Sequence, residues 1–543
     1  MVDLIIGSIE RVVGKDISFV VEHPGEESHG DYASNVAMIL GGNPREKAGE
    51  MKIVFEKDKK LMEVIEKIEI AGQGFINFWL KKEYLVGEML GVNKDYGKGD
   101  WGKGKRILVD YSAPNIAKDF SVGHLRSTII GQSIRNLYEF SGWKSVGDNH
   151  LGDWGTQFGM IIAAVEEANL DIEKMSVSQM EELYVKFNER VKEDESLKEK
   201  AKEAFVRLEK GDEKARLIWE KSVQASMKEF GRIYEILGVE IEHAYGEGFY
   251  VDLWGEIIED AKKQGLAKMS EGALVMELGE GLPLGIFLKS DGGTTYFTRD
   301  LATIKFRQNN PELKSDLYVY EVGSEQSLYF RQVFAAAEKL GWGGEKDFVH
   351  VAHGMVLGGD GKKMSTRKGT GMKMEELLNK AIEKAGKINE ASAQKVGVGA
   401  VKYFDLRHSP ETTYRFDIEE ALSLDGNSGP YLQYCLVRCR SVLEKANLEG
   451  SVPFGVGLNG EEMGVLRWLY RFPEVVEDAA KSFSPNLVCN YLFELAQRFN
   501  SFYNKHRILE SEDEAFRLGL TKSVGQVLAN GLGLLGIEVV ERM

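Results

Sequence analysis

The stretch Asp110–Ser127, DYSAPNIAKDFSVGHLRS, decides the fold. Immediately before it, Arg106-Ile107-Leu108-Val109 is a short apolar run of the kind that forms a buried strand. After it, apolar residues at Leu125, Ile129, Ile130, Ile134, Leu137 and Tyr138 keep the helical period, and Gly142 stops the helix. The stretch is therefore a strand-to-helix crossing, where an open α/β sheet binds nucleotides. Pro114 and Gly123 bracket its turn, and Gly123 lets a ligand approach the backbone. His124 lies at the helix mouth, where free N–H groups and the dipole favour phosphate. Lys118 adds a positive charge, and Asn115 adds a donor and an acceptor.

Composition bounds the function. The 543 residues suggest two to four domains, and 43% hydrophobic with 28% charged residues is a normal soluble balance. A net charge of −16 argues against a general nucleic-acid binder, though a local basic patch can still hold RNA. Cys435, Cys439 and Cys489 are too few for a disulfide scaffold and point to a reducing, cytoplasmic setting. Cys435 and Cys439 share a helix face without a second ligand pair, so no metal site is expected. No apolar run approaches a membrane span, and acidic residues in the first apolar stretch argue against a signal peptide. No membrane partner is expected.

Residues 1–95 read as an N-terminal α+β unit. A helix is expected over Val2–Val13, an extended segment over Ile17–Glu22, and a helix cap at Asp31 or Ser34. Ile68–Leu80 reads as a strand interrupted by glycine, whose Phe75 and Phe78 are either core or base-stacking residues. The Gly- and Lys-rich segment 93–104 is a linker. Residues 100–388 read as a Rossmann-like parallel-sheet domain with inserted helices at about 164–240. Residues 249–305 read as strands and turns, with a hairpin at Asp291-Gly292-Gly293. Asp300 then opens a helix, either capping it or binding a cation. Asp316–Val322 and Phe348–Ala352 are further strands. The Gly-rich, basic loop 353–369 beyond the second suits a phosphate lid. Residues 389–543 read as an α-helical bundle, with helices at Ser428–Ala446, Glu461–Phe483, Asn486–Lys505 and Asp513–Leu528.

Together these motifs resemble the arginyl-tRNA synthetases, a class I aminoacyl-tRNA synthetase family. The resemblance rests on SAPNIAKDFSVGHLRSTIIG, LGDWGTQFG, YFTRDLA, KMSTRKG, DGNSGPYLQY, the N-terminal GDYASNVA and GFINF, and the terminal ERM, in the family's order. It departs at Ser121, where the family's first motif begins with His or a similar residue. The second motif, Lys363-Met364-Ser365-Thr366-Arg367, lacks the second lysine. The resemblance implies that Lys118, with Arg367, replaces that charge. Catalysis then falls to His124, Lys118, Lys363 and Arg367, with ATP held by Ser121, Gly123, His124, Met355, Val356, Lys363, Met364 and Ser365.

The resemblance further implies that the arginine carboxylate attacks the α-phosphate of ATP, which enters with Mg²⁺ as substrate, and that no cofactor is tightly bound. The arginyl group then passes to the 2′-hydroxyl of the terminal adenosine of tRNA(Arg). Bound tRNA is needed for efficient activation. Asp300 takes the guanidinium with Tyr296 beside it, and Asp110, Ala113, Pro114, Asn115, His124 and Gln326 complete the L-arginine site. Phe75 and Asn77 meet the tRNA elbow, and Tyr434, Tyr503 and Met543 the anticodon. The acting form is expected to be a monomer. The rival readings are another class I synthetase, which does not need Asp300, and a non-catalytic tRNA-binding paralogue, which does not need His124, Lys118 and Lys363.

Overall fold

The structure, a computed structural model, describes residues 1–358, 361, 373–446 and 457–543. Its centre is a five-stranded, all-parallel sheet. The strands are β1 (Arg106–Asp110), β2 (Lys144–Leu151), β3 (His243–Gly246), β4 (Leu317–Gly323) and β5 (Phe348–His353), in the spatial order β5-β4-β1-β2-β3. The order reverses between β1 and β4, which opens a crevice at their carboxyl ends. β1 is buried on both faces, as its unbroken apolar run requires. Helix α1 (Val122–Phe140) leaves the β1 loop and packs back on the sheet. Gly131 permits this, because a Cβ there would lie 2.4 Å from Tyr111.

Between β2 and β3 come α2 (Thr156–Glu167), α3 (Val177–Val191), α4 (Glu195–Glu209) and α5 (Glu213–Leu237), the expected insertion. The 249–305 segment is less sheet-like than expected. It carries a helix at Trp254–Lys263 before an antiparallel sheet of Ala267–Ser270, Ala273–Met276 and Gly285–Leu288. The Asp291 turn forms, with Asp291 Oδ1 accepting from Gly293 N–H at 3.0 Å. Helix α6 (Tyr296–Asn309) then follows, with Thr295 at its N-cap. Asp300 is one turn inside it, so the cap reading of Asp300 is wrong. Helix α7 (Ser327–Lys339) joins β4 to β5, and α8 (Ala393–Leu406) follows in the helical region.

Contacts divide the chain into two compact units. One holds residues 1–96, 439–472 and 495–527, and the other 97–438, 473–494 and 528–543. In the first, Ile65–Ala71 and Phe75–Leu80 form a hairpin rather than one interrupted strand, because the chain turns back at Gly72 and Gly74 with positive φ. Neither Asp31 nor Ser34 is the N-cap of the next helix, Val36–Ile39, which is Asn35. Asp31 instead accepts from Leu80 N–H at 2.8 Å within the sheet. Phe78 is fully buried, which settles it as core. The helix expected over Glu461–Phe483 is two, Gly460–Leu469 and Phe472–Lys481.

Candidate active site

The loop leaving β1 is strained. Ser112, Ala113 and Ala117 all adopt positive φ, at 77°, 42° and 58°. Such conformations cost about 1–3 kcal/mol each and persist only where surroundings dictate them. Here they do. Ser112 N–H donates to Ser127 Oγ at 2.8 Å, and Ser112 Oγ meets the Tyr234 hydroxyl at 2.7 Å. Ala113 N–H donates to Asn149 Oδ1 at 3.0 Å, Asn149 Nδ2 donates to Tyr234, and Ala117 N–H donates to Ser226 Oγ at 2.9 Å. Tyr234 and Ser226 come from α5, so the insertion braces the loop. Asn115 bridges Gly152, where a Cβ would lie 2.6 Å from Asn115 Oδ1.

At the carboxyl ends of β1, β4 and β5 lies a cavity of about 300 Å³ lined by Ala113, Asn115, Ser121, Gly123, His124, Gln326, Met355 and Val356. These eight residues, predicted from distant parts of the sequence, meet in one place. Glu321 and His353 also line it. Ser121 caps α1, and its N–H donates to His124 Nδ1 at 3.2 Å. Nδ1 is thereby an acceptor, which leaves the proton on Nε2. Burial, then the nearby Lys118 and His353 charges, push the His124 pKa down to about 4. His124 is a neutral donor at pH 7. Lys118 Nζ sits 5.1 Å above the Tyr184 ring. Past the cavity, Lys373 bridges Ser121 and pairs with Asp119 at 2.7 Å. Lys363, Met364, Ser365 and Arg367 lie outside the described residues. A larger groove of about 980 Å³ near Asp119 is lined by both charge signs. Its Lys221, Arg232 and Lys373 are each already held by a carboxylate.

The opposite face of the sheet is acidic. Asp110 and Asp148 stand side by side on β1 and β2 and share the buried Arg307 of α6, at 2.7 and 2.8 Å. Asp110 thus already has a cation partner, and its other oxygen faces His150 N–H at 3.4 Å. Asp300 projects from the same helix as Arg307. Its carboxylate accepts from the Tyr329 hydroxyl and lies 3.7 Å from His150 Nε2. No lysine or arginine forms an ion pair with it among the described residues. Burial raises its pKa, with His150 and Tyr329 opposing. Glu247, beside it, is raised by burial too and pairs with Arg299 at 2.6 Å. Tyr296, one turn before Asp300, is 64% exposed, and the Arg299 guanidinium lies 5.2 Å from its ring. Such a site suits a ligand that brings its own positive charge.

Other predicted residues lie elsewhere. Phe75 is 37% exposed and able to meet a partner, whereas Asn77 is 2% exposed inside its sheet. Tyr434 is 40% exposed, with the Arg438 guanidinium 5.0 Å from its ring. Tyr503 is half-buried. Met543 packs against the small apolar cluster of Ala385, Val396 and Val540. The residues missed by sequence reasoning are Glu247, His150, Tyr329, Glu321, His353, Asn149 and Tyr234. Of these only His353 stood in a stretch singled out for the site, the Gly-rich loop 353–369, while Asn149 and His150 lie just before the LGDWGTQFG motif.

Comparison with known proteins agrees with this geometry. The chain matches the family model for the catalytic domain of class I tRNA synthetases (R) over residues 86–418. It matches the arginyl tRNA synthetase N-terminal domain over 2–80 and the DALR anticodon-binding domain over 432–543. It is 38% identical to the arginine–tRNA ligase of Lactococcus lactis subsp. cremoris, across 99% of this chain and 98% of that one. The crystal structure of arginyl-tRNA synthetase from Plasmodium falciparum superposes with a TM-score of 0.81 at 26% identity, covering 99% of this chain and 97% of that one. The Thermus thermophilus arginyl-tRNA synthetase shares the fold, with a TM-score of 0.86 at 24% identity and full coverage of both chains. The three matched regions together span this chain, which belongs to the arginyl-tRNA synthetase family.

Proposed function

We infer that this chain ligates L-arginine to tRNA(Arg), through arginyl-adenylate, with each step placed on the residues described above. The observation that carries the reading is the buried Asp300 carboxylate, which forms no ion pair with lysine or arginine among the described residues. Arginine is a permanent planar cation with five donors, and a desolvated carboxylate is its strongest partner. Tyr296 flanks the guanidinium, and Gln326, Asn115 and the Ala113-Pro114 backbone hold the amino-acid end. Asp110 acts through Arg307 and His150, which fix the floor.

In the first step the arginine carboxylate oxygen bonds to the α-phosphorus of ATP, and the bond to the departing pyrophosphate breaks. Such transfers need positioning and charge neutralisation. His124 donates through Nε2–H to a phosphate oxygen. The N-terminus of α1 adds its free N–H groups, Lys118 its charge, and Lys363 and Arg367 act on the leaving pyrophosphate. Mg²⁺ arrives with ATP. The adenosine lies between His124 and the Met355-Val356 backbone, beside Ser121 and Gly123. Met364 and Ser365 are assigned to ATP binding with them. In the second step the 2′-hydroxyl of the terminal adenosine attacks the arginyl carbonyl and AMP leaves. Phe75 serves the tRNA elbow, with the buried Asn77 supporting its strand, and Tyr434, Tyr503 and Met543 serve the anticodon end. The three cysteines are all buried, which suits work in the cytoplasm.

The test is charging of tRNA(Arg) ending in 2′-deoxyadenosine or in 3′-deoxyadenosine with labelled arginine. The reading expects charging of the 3′-deoxy form alone. Charging of the 2′-deoxy form alone, or of neither while intact tRNA is charged, contradicts the assigned hydroxyl.

A further inference from the structure

The two faces of the sheet are chemically distinct at its carboxyl end. Side chains alternate along a strand. Tyr320 and His350 lie opposite each other on β4 and β5, and the His350 ring stacks on Phe330 of α7 at 4.9 Å. Glu321 and His353 therefore share the other face, towards α1 and the cavity that both line. Glu321 is 1% exposed, and one of its oxygens, Oε1, pairs with His353 Nδ1 at 2.9 Å. Its second oxygen, Oε2, is buried without a hydrogen-bond partner among the described residues. His353 is the side chain this carboxylate pairs with.

A buried pair that merely filled space would be better replaced by apolar side chains. This pair instead sits at the wall of the nucleotide crevice, close to His124. With Nδ1 committed to Glu321, Nε2–H is the donor that His353 has left for the cavity. The charged groups that face His353 are Glu321 from β4, His124 and Arg126 from α1, Asp405 from α8 and His350 from its own strand. Burial alone would lower the His353 pKa, but the Glu321 carboxylate reverses this and raises it. The same positive charge helps keep His124 neutral. The crevice then holds two imidazoles whose surroundings push them in opposite directions, His124 down and His353 up.

We propose that His353, oriented by Glu321, is a further nucleotide-binding residue, whose Nε2–H donates to a phosphate oxygen of the bound nucleotide. The proposal rests on reading this cavity as the nucleotide site, and the probes separate the two ideas. One probe is adenosine, which has no phosphate. The other is the methyl ester of AMP, a phosphodiester whose single charge is constant between about pH 5 and 9. Binding of both to the full chain is measured by calorimetry across that range. Wild type should bind the ester more tightly than adenosine, and the excess should fade as pH rises and His353 loses its proton. His353→Gln should lose about tenfold in ester affinity at low pH, the scale of one charge-assisted hydrogen bond, and should abolish the pH dependence. Its adenosine affinity should not change. Glu321→Gln should move the fade to lower pH. Should His353→Gln fold poorly, the double variant Glu321→Leu with His353→Phe keeps the packing and should show the same loss. An unchanged pH dependence in these variants overturns the proposal alone. An equal loss of ester and adenosine also overturns it, and makes the pair a packing or ribose element. Failure of wild type to bind either probe overturns the nucleotide reading as well.

Discussion

His124 works as a neutral imidazole whose protonation is delayed to about pH 4 from the ordinary 6.5. Between those values the unfolded chain binds more protons than the folded one, so stability falls as pH drops through the window. His124→Asn should therefore show a shallower loss of melting temperature there than wild type. His124→Ala should slow activation by about two orders of magnitude, the scale for one transition-state donor, and near-normal pyrophosphate exchange would remove it from the mechanism. In the proposed reading Asp300 carries specificity. Asp300→Asn keeps the shape but turns an amide donor towards a ligand that offers only donors. Arginine affinity should fall by at least about 2 kcal/mol, with ATP affinity nearly intact. Citrulline should lose its relative disadvantage, and lysine should gain nothing. Calorimetry with an ATP analogue and tRNA reads all three, and unchanged arginine affinity would end the assignment. His124 drew attention because it stands at a strand-to-helix turn, whereas the residues alone left Asp300 as either a cap or a cation binder and the resemblance singled out its guanidinium role. Glu321 was not legible. It lies inside DLYVYEV, which reads as a plain buried strand, and its partner His353 is 32 residues away.

The β1–α1 loop shows how elements outside the sheet set the site. Its strained Ser112 and Ala113 are held through Tyr234 and Asn149. Tyr234→Phe removes the hydroxyl that both bonds need and strands Asn149 Nδ2. It should cost about 1–3 kcal/mol, measured by denaturant unfolding. It should also lower kcat more than it raises KM for ATP, because the loop loses its reacting geometry while the cavity persists. A change in KM alone would show that α5 shapes binding rather than alignment. The insertion's helices were legible from periodicity, whereas their bracing role was not, since Tyr234 lies 122 residues from Ser112. Periodicity also misses breaks. The Ile68–Leu80 run hides a hairpin turn at Gly72 and Gly74 because both halves alternate alike. The helix pair around Tyr470 and Arg471 reads as one only when Pro473, in the first turn of the second helix, is passed over.

At the scale of the molecule, remote segments close on buried polar anchors. Lys402 of α8 is 1% exposed and donates to the carbonyl of Leu237, at the end of α5, at 2.7 Å, and to that of Gly536. Burial lowers its pKa from 10.5 to about 8. Below the lower value the folded state carries the full cost of a buried charge. Between the two values the unfolded chain binds more protons, so this residue's contribution to stability rises with pH. Lys402→Met should flatten that rise and leave two carbonyls without their donor, a loss of about 1–3 kcal/mol at neutral pH. Thermal unfolding of both proteins across the window checks the sign. The sequence of β1, its loop and α1 sufficed to expect the parallel sheet. It could not show which helices form each compact unit, because helical periodicity marks a buried face without naming what covers it. The central claim is tested most directly by ATP–pyrophosphate exchange with each amino acid, with and without tRNA(Arg). Exchange with arginine alone, and strongly only when tRNA(Arg) is present, is the predicted result. Exchange supported by another amino acid, or no exchange with arginine under either condition, would contradict it.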